Sequence, residues 1–108
     1  DRATQSGEKT KMKTLQEISS TIRNNRKALA QNYGLQKIGI FGSYARSQQD
    51  KNSDIDILVE IKRPIGLIKF MRLEQHLSKM LNAKVDLVTP KALKPRIGKH
   101  ILQEVRYV

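Results

Sequence analysis

The stretch Lys37–Ile61, KIGIFGSYARSQQDKNSDIDILVEI, decides the fold. Ile38–Phe41 is short, apolar and rich in strand-forming residues, and it stops at Gly42. Gly42 accepts backbone angles that other residues resist, so the chain can turn tightly there. Ser43 is placed to N-cap a short helix through Tyr44, Ala45 and Arg46. A strand ending in a Gly-Ser turn into a helix N-terminus presents backbone N–H groups to an anion. From Asp54 to Ile61 the residues alternate as a half-buried strand does. Ile55, Ile57, Val59 and Ile61 form its apolar face, and Asp54 and Asp56 project together from the other. Same-face neighbours on a strand lie roughly 6–7 Å apart, so the two carboxylates can converge on one metal cluster.

Gly42-Ser43, ten intervening residues, then Asp54-x-Asp56 resembles the signature of the DNA polymerase beta-like nucleotidyltransferase superfamily. More narrowly, GSYAR followed by SDIDILVEI resembles the minimal nucleotidyltransferases, which pair with HEPN-domain proteins in prokaryotic toxin–antitoxin systems. The resemblance covers nearly all of residues 12–108. A lone Asp-x-Asp arises often by chance; at this distance from a Gly-Ser turn, on an expected strand, it is specific. The family often has Gly after GSYAR, where this chain has Ser47. That departure touches the phosphate turn rather than the carboxylates.

Outward from this centre, the bulk properties are those of one domain with a modest core. The chain has 108 residues, 38% hydrophobic and 29% charged. It has no apolar run long enough to cross a bilayer and no signal-peptide pattern. Cysteine is absent, which excludes disulfides and thiolate metal sites and fits a reducing cytoplasm. The net charge of +11 asks for an anionic partner: a nucleotide, a nucleic acid or an acidic protein surface. The basic residues are spread along the chain without a dense block or interleaved aromatics, so a nucleic-acid partner is not favoured. Residues 1–11 are polar and aperiodic and are expected to be a disordered leader or a remnant ahead of a domain spanning 12–108.

Before the central stretch, Thr14 to about Gln31 reads as a helix with Leu15, Ile18, Ile22 and Leu29 near one face. Thr14 and Glu17 form a capping-box pattern, and Asn32 and Gly34 close the helix. Beyond it, Pro64 ends the second strand, and a second helix spans about Gly66 to Leu81. Its apolar stripe is read as Leu67, Ile68, Met71, Leu77, Met80 and Leu81. His76 has no partner at ligand spacing and is read as structural. Lys84–Val88 is a third short strand with Val85 and Leu87 on one face and Lys84, Asp86 and Val88 on the other. After Pro95, the spacing of Ile97, Ile101, Leu102 and Val105 indicates a last amphipathic helix. The expected fold is therefore α/β: a small mixed sheet of about three strands flanked by helices, as in the polymerase beta-like nucleotidyltransferases.

An alternating Asp on a lone strand is usually solvent-facing, so Asp86 carries little by itself. The resemblance implies that it is the third carboxylate of a metal site with Asp54 and Asp56. It further implies two Mg²⁺ ions, or Mn²⁺, and ATP as donor. Asp54 and Asp56 would hold both ions, and Asp86 would complete the catalytic one and assist the incoming hydroxyl. Ser43 and the Gly42–Tyr44 backbone would hold the β- and γ-phosphates. Arg46 either adds a positive charge there or is an ordinary surface arginine. The implied acceptor is a tyrosine of a HEPN toxin, silenced by adenylylation. A domain this small has no room for a separate acceptor-gripping domain, so part of the site is expected from a partner or second subunit. Two readings from other classes compete: a binding module that neutralises its partner by contact, and a nucleic-acid-binding or nucleic-acid-modifying protein.

Overall fold

The computed structural model describes residues 14–46, 48, 53–92 and 95–108, and the side chains of these except at 92 and 95–97. The expected leader at residues 1–11 and the Ser47 departure lie outside the described residues. Helix α1 spans Leu15–Tyr33. Its start is the capping box read from the sequence: the Thr14 N–H donates to Glu17 Oε1 at 2.9 Å, and the Glu17 N–H donates to Thr14 Oγ1 at 3.1 Å. It ends at Gly34 in the left-handed conformation, and strand β1, Leu35–Phe41, follows at once.

β1 runs antiparallel to β2, Ile55–Ile61, with Ile40 opposite Ile57 and Phe41 opposite Asp56. Helix α2, Gly66–Leu81, carries the chain over the sheet to β3, Val85–Val88, which pairs parallel to β2. A short 3-10 turn at Pro90–Ala92 precedes helix α3, Pro95–Glu104, and a two-residue strand β4, Arg106–Tyr107, closes the order β3-β2-β1-β4. The sheet is mixed, as expected, and has four strands. The helix read through Val105 ends one residue earlier, because the chain must extend there to pair with β1.

The core fills one face of the sheet. Ile18, Ile22 and Leu29 of α1 and Leu73, Leu77 and Leu81 of α2 pack on Ile38, Ile40, Ile55, Ile57, Val59, Val85 and Leu87. The stripe read for α2 is corrected in its first half: Leu67 and Ile68 are 74% and 70% exposed, and Met71 is exposed too. Phe70 and Leu73 take the inward positions instead, in phase with Leu77 and Leu81. Side chains of α2 also close the outer edge of β3. The Val85 N–H donates to Ser78 Oγ at 3.2 Å and the Leu87 N–H to Glu74 Oε2 at 2.9 Å. That satisfies an edge otherwise open to pairing.

On the opposite face, Leu58 is also buried, where β2 lies beside Gly39 of β1. A Cβ at Gly39 would come within 2.6 Å of Val105 Cγ2, so the absent side chain is what lets the C-terminal segment lie on β1. Arg26 fixes that segment from below, donating from Nη1 to the Val108 carbonyl and from Nη2 to the Gln36 carbonyl, both at 2.7 Å. No helix among the described residues is long and apolar enough to cross a membrane.

Candidate active site

Where β1 ends, Gly42 has φ +77°, and a Cβ there would run into the Asp56 carboxylate. Glycine is thus required twice, by backbone angle and by the acid pressed against it. The expected short helix after Ser43 is a single turn instead: the Arg46 N–H donates to the Gly42 carbonyl at 3.1 Å, and the Gln48 N–H to the Ser43 carbonyl at 2.8 Å. Tyr44 and Ala45 are buried, and Tyr44 joins the main core, so its side chain anchors the turn. Ser43 is half-buried.

The register of three strands assembles the acids. Asp56 lies opposite Phe41 on one side and beside Asp86 on the other. Asp54 precedes β2 by one residue, and its Oδ2 lies 4.0 Å from Lys84 Nζ. Asp86 is exposed. Asp56 is half-buried, and its pKa is pushed up to about 6 by that burial first, then by the charges of Asp86 and Asp54. Glu104 adds to the shift and the Arg46 guanidinium opposes it.

Three carboxylates without sulfur or imidazole form a hard donor set, chemically suited to Mg²⁺ or Mn²⁺. Burial is the first cause of the raised pKa of Asp56, and the like charges of Asp86 and Asp54 that add to it are what a cation would relieve. Yet among the described residues no three acidic or histidine side chains stand as a group able to hold a metal ion. The donor chemistry fits. The side chains as they stand do not yet converge.

Glu104, the last residue of α3, is absent from the set read in the sequence. It accepts the Gly42 N–H on Oε2 at 2.8 Å and Arg46 Nη1 on both oxygens at 3.1 Å. Arg46 Nε donates in turn to Gln48 Oε1 at 3.1 Å. The Gly42 N–H expected to meet phosphate is therefore committed to a carboxylate, and Arg46 is an anchored residue rather than a loose surface one. The one hint in the sequence is electrostatic, an acid in a helical last turn that holds no base. A hollow of about 630 Å³ lies elsewhere, between the far end of β2, the start of α2 and the Thr89–Lys91 segment, and includes none of the three acids.

The nucleotidyltransferase domain family matches residues 22–108. Protein adenylyltransferase MntA of Thermococcus cleftensis is 43% identical over 97 residues, spanning 90% of this chain and 98% of that protein. A toxin–antitoxin complex solved with AMP-PNP superposes with TM-score 0.68 and 31% identity, over 82% of this chain and 70% of that one. A tri-AMPylated Shewanella oneidensis HEPN toxin in complex with its MNT antitoxin aligns with TM-score 0.62 and 26% identity, over 83% and 70%. Nucleotidyltransferases generally use a divalent metal.

Proposed function

The chain belongs to the nucleotidyltransferase domain family, and from that premise we propose that it is a protein adenylyltransferase, moving AMP from ATP to a tyrosine of a HEPN-domain toxin and so acting as its antitoxin. The observation that carries the reading is Asp56, held by strand register between the Gly42 turn and Asp86 with its pKa raised to about 6. Such a placement is costly for a surface acid and useful for one that takes up a cation. The names of the relatives supply the acceptor: an adenylyltransferase by sequence, and a HEPN toxin carrying AMP by fold.

In the reaction the acceptor oxygen bonds to the α-phosphorus while the bond from that phosphorus to the bridging oxygen breaks. Pyrophosphate leaves with the electron pair. Asp54, Asp56 and Asp86 would hold two Mg²⁺ ions, which supply neutralisation of charge growing on the phosphate oxygens. The Ser43 hydroxyl and turn amides orient the β- and γ-phosphates, with Arg46 beside them. Asp86, the most open of the three acids, takes the proton from the incoming hydroxyl. A phenol suits that role, with a pKa near 10. Attached AMP would bring negative charge and bulk to a site that must bind RNA phosphates. The absence of cysteine suits work in the cytoplasm.

A contact-only antitoxin is the second reading, and one surface is compatible with it. Leu67, Ile68 and Met71 stand exposed together, with Lys62, Arg63, Lys69 and Arg72 exposed around them.

Nucleotide binding offers a first test. Clustered carboxylates repel a polyphosphate unless a cation stands between them. Calorimetry should give ATP affinity at least about tenfold higher in Mg²⁺ or Mn²⁺ than in chelator. Equal affinity in both would remove the metal site from the proposal.

A further inference from the structure

A carboxylate in the last turn of a helix faces the negative end of the helix dipole. Glu104 holds that position in α3, with no basic residue in the same turn. That placement is unfavourable, so something specific must offset it. What offsets it is the turn after β1. β4 pairs with β1 only at Gly39 and Ile40, which leaves the Gly42 N–H beyond the end of that ladder. Glu104 supplies its acceptor at 2.8 Å, and both of its oxygens take Arg46 Nη1 at 3.1 Å. With Nε on Gln48, the guanidinium is held at two points and Nη2 takes part in neither bond. The Glu104 side chain is 23% exposed, against 48% for Arg46, so the acid is the fixed partner and the arginine the presented one.

We infer that Glu104 is a positioning residue for nucleotide binding: it ties the C-terminal helix to the Gly42–Arg46 turn and holds Arg46 ready for the phosphates of ATP. The inference rests on the adenylyl-transfer reading above. Charge-assisted bonds of this kind are stronger and more directional than neutral ones, so losing the carboxylate frees Arg46 to leave the turn. A residue acting through Arg46 has no effect once Arg46 is gone.

That dependence is the test. Mg–ATP affinity is measured calorimetrically for the unaltered chain, Glu104→Ala, Arg46→Ala and the double variant, alongside melting curves. Each single change should weaken binding by about tenfold, and the double variant should be no weaker than the worse single within about twofold. Glu104→Gln keeps an acceptor for the Gly42 N–H and should recover part of the loss. If Glu104→Ala does not fold, the cycle is run with Glu104→Gln and the same non-additivity is expected. Unchanged affinity in the Glu104 variant, or a double defect equal to the product of the singles, overturns the inference while leaving adenylyl transfer standing. No Mg–ATP binding by the unaltered chain overturns the transfer reading and this inference with it.

Discussion

Asp56→Asn should lose nucleotidyl transfer by a factor on the order of 10³ or more and yet melt higher than the unaltered chain in chelator. Asparagine keeps the size and an oxygen acceptor but cannot carry the charge that draws a divalent cation. The stability gain follows from the same geometry. Asp56 is pushed up to about 6 in the fold, against 3.8 for a free aspartate. The folded pKa is the higher one, so the native state binds the proton more tightly and is destabilised by the charged form. The cost is present above pH ~6, shrinks as pH falls through that value, and vanishes below ~3.8. The asparagine variant should therefore be more stable by about 1–2 kcal/mol at pH 7 to 8, after discounting for solvent around a half-buried group. The gain should fade toward pH 4. Thermal melts across that range, paired with transfer assays at pH 7.5, read both effects. An Asp56→Asn protein that transfers at the unaltered rate would remove Asp56 from the chemistry.

Gly42→Ala is expected to be nearly as damaging, by a different route. At φ +77° an L side chain costs about 1–2 kcal/mol. The added methyl also takes the space of the Asp56 carboxylate, which must move or the turn must open. Displacing a metal-directed acid by even about 1 Å costs on the order of 10² in rate. The variant should fold, with a lowered midpoint in urea, and transfer at least about a hundredfold more slowly. Activity within tenfold of the unaltered chain would mean that the contact between Gly42 and Asp56 is incidental.

Much of this could be read before any coordinates. Thr14 with Glu17 and Gly34 are local signals that bound the first helix, which runs two residues past the expected Gln31, and the second helix spans the expected Gly66–Leu81. Alternation along Ile55–Ile61 set Asp56 apart from the apolar face, and parallel pairing brings Asp86 beside it. What escaped depends on contacts distant in sequence. Leu67, Ile68 and Met71 have helical spacing as good as that of Phe70, Leu73 and Leu77; only the seat of α2 on the sheet decides between them. β4 is two residues long and exists because β1 offers an edge. The turn after Ser43 does not propagate as a helix through the described residues. Glu104 is bonded to Gly42 across 62 positions, and no local pattern announces it. The convergence of the three acids is also not a property of strand spacing alone, since none of the described residues stand as a metal-holding group.

The central claim is transfer of AMP to a protein hydroxyl, and weighing the acceptor tests it most directly. The chain is mixed with a HEPN-domain protein, ATP and Mg²⁺, and the HEPN protein is weighed by intact-mass spectrometry, with Asp54→Asn run in parallel. The account predicts a gain of one or more AMP units, located on tyrosine by fragmentation and absent with the variant. A HEPN protein of unchanged mass, inhibited equally by the unaltered chain and by Asp54→Asn, would contradict it and leave contact alone as the means of neutralisation.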